Sequence, residues 1–220
     1  MVAATPHVRA DYPTRPEEME VRVEQVRRDF AEQGIGIDVL HGAEIALDML
    51  DRFETSELRR FSLGQGGRYL VLEFPYQGWP LGLTERVFSL QLDSFVPVIA
   101  HPERNSQVQA DPARLGAAVR AGALVQLTAA SLDGRLGRAP RKAGERLLEL
   151  GLAHVLASDA HAPEVREAGL GAAARSLRDP RLARYLTVEA PAAMVAGEPV
   201  PAPPPRRRRG LFAGRRATRR

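Results

Sequence analysis

The chain has no cysteine among its 220 residues. That excludes disulfides and thiolate-ligated metal. It also excludes a phosphatase that works through a phosphocysteine. Long apolar runs are missing as well: no stretch of about 18 apolar residues exists, the length a membrane-crossing helix needs. The opening MVAATPHVRADYP has neither a basic segment nor an apolar one of secretory-signal length, and a cytoplasmic protein is the expectation. The common phosphate and acyl-transfer signatures GxxxxGK[ST] and GxSxG are absent too. Gly64-Gln65-Gly66-Gly67 precedes a strand-like run where a dinucleotide fingerprint would follow one. Acids are missing from the arginine-rich end. The last twenty residues, PAPPPRRRRGLFAGRRATRR, hold eight arginines and no acid. Removing those eight from the formal charge of +4 leaves the other 200 residues at −4. The basic character therefore belongs to a tail, and the body does not read as a nucleic-acid binder.

What is present is an alternation. Short apolar runs stand at 2–5, 37–40, 69–74, 96–100, 123–128 and 154–158. Between them lie helical stretches at 15–34, 46–60, 83–94, 111–122 and 140–151. Pro16 and Gly34 bracket the first. Asp111, Pro112 and Gly122 fit the N-cap, first turn and stop of the fourth, and Gly151 closes the fifth. Strand, helix, strand, helix predicts an α/β domain with a mostly parallel sheet. From Pro199 the proline-rich PVPAPPP reads as a stiff spacer, and the arginines beyond it as a disordered tail. The domain is thus expected over 1–198 and the tail over 199–220.

The ends of the apolar runs carry polar residues: His7 after AATP, Glu44 after HGA, Glu73 after LVL, His101 after VIA, and Asp159 with His161 after LAS. Residues at several strand ends meet on one rim in a parallel barrel, whereas an open doubly wound sheet gathers them at one switch point. A distorted or incomplete barrel is therefore expected. Imidazole nitrogens and carboxylate oxygens suit Zn, Mn or Fe, and several carboxylates allow one to bridge two ions. His41 and His154 do not end runs and are read as structural or surface residues. Arg104 and Arg166 follow His101 and His161 closely; guanidinium groups above such a rim can grip phosphate. Tyr76 and Trp79, in FPYQGWP, are read as loop anchors, with a pocket mouth as the alternative.

TPH, GAEI, LEFP, AHPER and SDAH, in this order from residue 1 to about residue 197, resemble the polymerase-and-histidinol-phosphatase (PHP) superfamily. The segments AHPER and LASDAH with a trailing arginine resemble its capsule-locus branch, the CpsB/CapC/YwqE-type protein-tyrosine phosphatases. The resemblance implies a distorted (β/α)7 barrel with up to three divalent ions at its rim, Mn first, with Fe or Zn as alternatives. It gives Glu44 the role of carboxylate bridging the first and second ions. Glu73 and His101 become further ligands of the second, Asp159 a catalytic ligand of the first, and His7 and His161 ligands of the third. Arg104 and Arg166 become the catalytic arginines that hold the substrate phosphate. The implied reaction is attack by a metal-bridging hydroxide on phosphotyrosine of a bacterial tyrosine autokinase of the polysaccharide co-polymerase system, regulating capsule or exopolysaccharide synthesis.

One departure stands out. The family opens on a strand with a His-x-His pair, and none exists here. The expectation is a barrel lacking its first βα unit, from a start set too far downstream or a fragment, with ligands missing from the first and third ions. Two alternatives follow: a PHP phosphatase acting on a small phosphomonoester such as histidinol phosphate, or a catalytically impaired phosphotyrosine-binding module. The arginine-rich tail adds weak contact with an anionic membrane surface.

Overall fold

The computed structural model describes residues 1–64, 66–161 and 169–205. Six strands form one parallel sheet in the order β2-β4-β5-β6-β7-β8. They are His7–Val8 (β2), Glu44–Ala46 (β4), Tyr69–Glu73 (β5), Val96–Ala100 (β6), Leu124–Thr128 (β7) and Val155–Ala157 (β8). The order follows the chain without reversal, as the staves of a barrel do; a doubly wound sheet would reverse at a switch point. Two further two-residue strands, Val2–Ala3 (β1) and Val39–Leu40 (β3), pair with each other alone.

These two short strands explain a difference from the sequence expectation. The runs at 2–5 and 37–40 do not end on His7 and Glu44. They continue through them. Val2 pairs with Val39, and His7 with Glu44, at the same sequence offset. The two ladders are one ladder interrupted at Pro6, which has no N–H to give. On the far side of the break Glu44 N–H donates to the Pro6 carbonyl at 2.9 Å. His7 and Glu44 thus face each other across adjacent strands, and β2 and β4 run on past them.

Helix Pro16–Glu32 (α1) buries Pro16, Met19 and Val23, a single stripe at helical spacing. Helix Thr55–Arg60 (α2) lies against it: Arg60 donates to both oxygens of Glu20 at 2.7 and 2.8 Å and also reaches Glu17. The stretch from residue 46, expected to be helical at least in part, holds a 3₁₀ segment over Leu47–Arg52 followed by α2. Helix Leu83–Leu92 (α3) connects β5 to β6. The stretch from 111 divides into 3₁₀ Pro112–Leu115 and helix Gly116–Arg120, with Asp111 accepting Ala113 N–H as a cap. Helix Arg138–Leu150 buries Ala143, Gly144, Leu147 and Leu148 and stops at Gly151.

β5 is buried at every position. Tyr69 and Val71 belong to one core cluster and Leu70 and Leu72 to another, as expected of a parallel strand covered on both faces. The C-terminal helices, Gly169–Ser176, Pro180–Arg184 and Ala190–Ala196, close the first cluster with Ala173, Ala190 and Met194. Their docking accounts for the glycine-rich segment. A Cβ on Gly64 would lie 2.4 Å from the Val195 carbonyl oxygen, and one on Gly66 2.4 Å from Gly197 Cα. These glycines let two backbones touch; they do not cradle a phosphate. Tyr69 then donates its hydroxyl to the Glu198 carbonyl at 2.6 Å, and Val200 packs on the core. The proline spacer therefore starts from an anchored base. The arginines from 206 onward lie outside the described residues. No helix among the described residues is long and apolar enough to cross a membrane.

His154 is structural, as expected. Its Nδ1 accepts Val125 N–H at 3.1 Å, and burial pulls the imidazole from 6.5 down to about 4. Between those values the unfolded chain takes up a proton that the folded chain refuses. Stability should therefore fall as pH drops through this window, by up to about 3 kcal/mol. His154→Asn, which keeps the acceptor but does not titrate, is expected to flatten that part of the stability profile in urea titrations run from pH 7 to pH 4.

Candidate metal centre

Six side chains proposed from the sequence as ligands, His7, Glu44, Glu73, His101, Asp159 and His161, meet at one rim of the sheet. Register brings the first three together. His7 pairs with Glu44, Glu44 with Val71, and Ala46 with Glu73, so the two glutamates stand one pleat apart on neighbouring strands. His7 Nδ1 lies 3.8 Å from both Glu44 Oε1 and Glu73 Oε2. His101 and Asp159 enter from the ends of β6 and β8, both in the left-handed region, at φ +38° and +49°. A non-glycine residue there costs roughly 1–3 kcal/mol. His101 Nε2–H donates to Glu44 Oε1 at 2.9 Å. His161 is more exposed; its Nε2 is 3.3 Å from His7 Nε2.

Among the described residues, five of the six side chains fall into two ligand sets, each with atoms within 4.8 Å of one another: His7, Glu44 and Glu73, and Glu44, His101 and Asp159; His161 belongs to neither. Glu44 is common to both. This grouping differs from the one the family resemblance implies, since Glu73 sits with His7 and His101 with Asp159.

The electrostatics suit a cation site. Burial pushes the Glu44 carboxyl up, but the hydrogen bond from His101 and the charges of His101, His7 and Arg104 outweigh it and hold it below the usual range. For His101 burial pulls down, and the bond to Glu44 outweighs it and raises the imidazole. The Nδ1 atoms of His7 and His101 are buried with no hydrogen-bond partner in the protein. An unpaired buried polar atom costs about 1–3 kcal/mol. Two such nitrogens beside three carboxylates form a sulfur-free N/O donor set that fits Mn, Fe or Zn.

The sequence reading missed the groups around these ligands. Arg9 donates to Glu73 Oε1 at 3.0 Å. Glu103 is fully buried; its Oε1 accepts Thr128 N–H at 3.0 Å and the Ser131 hydroxyl at 2.7 Å, and burial pushes its carboxyl up. Arg104 comes to the site as expected. It donates to Thr128 Oγ1 at 3.1 Å and pairs with Asp159, while its buried Nε–H has no partner. Arg166 lies outside the described residues. Trp79 anchors its loop, edge-on to Phe74 and under Arg114. Tyr76 does not share that burial: its exposed ring stacks over His101 at 6.0 Å. The only sequence signal for Glu103 was its place inside AHPER.

Residues 1–192 match the family described as "Capsular polysaccharide synthesis, CpsB/CapC". The chain belongs to the CpsB/CapC family. It is 32% identical over 166 residues to the tyrosine-protein phosphatase YwqE of Bacillus subtilis, and 30% identical over 163 residues to CapC of Staphylococcus aureus. Those matches cover 75% and 73% of this chain but 65% and 63% of the relatives, just under two thirds of their length. A crystal structure from work on YwqE and on CpsB of Streptococcus pneumoniae, described there as metal-dependent tyrosine phosphatases, superposes with a TM-score of 0.78 at 28% identity. That match covers 94% of this chain and 85% of the other. The sequential parallel sheet is thus the PHP-type fold of the CpsB/CapC family.

Because Glu44 is common to both ligand sets, Glu44→Ala should weaken divalent-cation binding to both at once, by about 10- to 100-fold in Kd. His7→Ala should weaken only part of the binding. Metal titration followed by elemental analysis after dialysis would separate the two patterns; equal loss in both variants would contradict the shared role of Glu44.

Proposed function

We propose that this chain catalyses metal-dependent hydrolysis of phosphotyrosine on a bacterial tyrosine autokinase, in the cytoplasm, as part of the control of capsule or exopolysaccharide synthesis. The observation that carries the reading is a pair of ligand sets sharing one buried carboxylate, beside an arginine with an unused N–H. The description of YwqE as a tyrosine-protein phosphatase supports the same reading. The overall reaction splits the phosphomonoester with water into tyrosine and inorganic phosphate.

In this reading His7, Glu44, Glu73, His101, Asp159 and His161 hold the ions, with Mn²⁺ the ion we assign. What the ions supply when bound is a nucleophile at neutral pH and screening of the charge that builds on the phosphoryl oxygens. The protein supplies position. Glu44 fixes the spacing of the two ligand sets. Arg104, braced by Thr128 Oγ1, presents a planar fork that matches two phosphate oxygens. Its partner Asp159 ties that fork to the ligand cluster. Arg166 takes the second phosphate contact in this assignment.

The test is a substrate panel on the Mn²⁺-loaded chain: a phosphotyrosine peptide from the kinase tail, a phosphoserine peptide and histidinol phosphate. The phosphotyrosine peptide should be hydrolysed best, and a chelator should abolish turnover. Arg104→Ala should lower kcat/KM by about 100-fold without changing the melting temperature by more than a few degrees. Preference for histidinol phosphate would move the chain to the small-molecule branch. Tight phosphopeptide binding without turnover would make it a binding module.

A further inference from the structure

The loop after β5 presents an aromatic ring for which the ligand chemistry has no use. Tyr76 follows Glu73 by three residues and is 47% exposed. Its ring lies 6.0 Å from the His101 imidazole at an interplanar angle of 24°. Its hydroxyl is 3.5 Å from Arg104 Nη1. One face of the ring covers a ligand candidate, and its edge meets the phosphate-binding candidate.

An exposed loop tyrosine is ordinarily free to move. This one is pinned. Asn105, only 1% exposed, donates through Nδ2 to the carbonyls of Pro75 and Gly78, at 2.5 and 2.8 Å. Its Oδ1 accepts the N–H groups of Gln107 and Val108, at 2.8 and 3.0 Å. Both donors and both acceptor positions of the amide are used. Ser106 adds two bonds, from its N–H to the Tyr76 carbonyl and from its hydroxyl to Gln77 Oε1, each at 3.0 Å. Tyr76 is therefore held from both sides by the segment that carries His101 and Arg104. Trp79, wedged between Phe74 and Arg114, fixes the far end of the loop.

We propose that Tyr76 is a platform for the aromatic leaving group and sets the preference of this site for aryl over alkyl phosphomonoesters, with Asn105 as its positioning residue. The inference rests on the phosphatase reading above. A phosphoryl group within reach of Arg104 and His101 directs its ester oxygen outward past Tyr76. A phenyl ring there meets a π face already fixed in orientation. An alkyl group meets the same area without the stacking contribution.

The measurement is calorimetric binding of phenylphosphonate and methylphosphonate to the Mn²⁺-loaded full chain, with turnover of a phosphotyrosine peptide alongside. The wild type should bind phenylphosphonate more tightly. Tyr76→Ala should cut the phenyl-over-methyl ratio by about fivefold to tenfold, and Tyr76→Phe should restore most of it. Asn105→Ala should move the ratio the same way, with a melting curve as the check on folding. Two results would overturn the proposal: a ratio unchanged in Tyr76→Ala, or Tyr76→Phe losing as much as Tyr76→Ala, which would assign the effect to the hydroxyl on Arg104. A wild-type chain that binds neither phosphonate and hydrolyses no phosphomonoester would instead defeat the phosphatase reading itself.

Discussion

A carboxylate buried against two imidazoles, Glu44 between His7 and His101, is the contact on which the rest of the rim is arranged. Burying a charge is costly, and removing one partner of a buried pair typically costs about 3–5 kcal/mol. Glu44 is 4% exposed and His101 2%, so each depends on the other. The backbone makes that dependence possible at both ends. The β2–β4 register sets His7 opposite Glu44, and the left-handed turn at His101 swings its ring back over the end of the sheet. A slip of one residue in either ladder would send these side chains to the other face.

The turn at His101 is held by the residues that follow it. In the segment HPERN, His101 reaches Glu44, Glu103 reaches the β7 end through Thr128 and Ser131, Arg104 reaches Thr128 and Asp159, and Asn105 reaches the loop after β5. Five neighbouring strands, β4 to β8, are thereby linked through four residues of one segment. Glu103 is the innermost of these links, and Gly144 of the helix over Arg138–Leu150 packs against it; a Cβ on Gly144 would be in ordinary contact with Glu103 but 3.0 Å from Leu132 Cδ2. Strain of this kind persists only where surrounding contacts over-determine the backbone, and this segment supplies those contacts.

The strands with unbroken apolar runs, β5, β6 and β7, were legible in the sequence, as were the helices Pro16–Glu32 and Arg138–Leu150, whereas the stretch from 111 divides in two. Periodicity and end signals are local, so they survive without tertiary information. What escaped was set by pairing. The apolar runs at 2–5 and 37–40 stop at Pro6 and His41-Gly42, but the ladder resumes after both because a neighbouring strand receives it. The ligand types were readable because His, Asp and Glu at the ends of apolar runs are out of place in a core. Their grouping was not readable, because it depends on a register that joins residues far apart in sequence. Glu103 and Asn105 were hidden for a related reason: an acid and an amide in a polar loop look solvated until the helix over Arg138–Leu150 and the loop after β5 are seen to cover them.

The distribution of arginines across the rim distinguishes its carboxylates. Glu73 has Arg9 at 3.0 Å, and Asp159 has Arg104. Glu44 has no arginine hydrogen-bonded to it among the described residues, only imidazoles. A guanidinium holds its positive charge at any pH the protein meets, whereas an imidazole can give up its proton and turn a nitrogen toward a metal. The two outer carboxylates thus have permanent counter-charges that fix their orientation. The central one faces groups that can exchange a proton for an ion. That asymmetry sets Glu44 apart as the carboxylate common to both ligand sets; on the proposed reading the cations are held there, with Arg104 beside them for the phosphate.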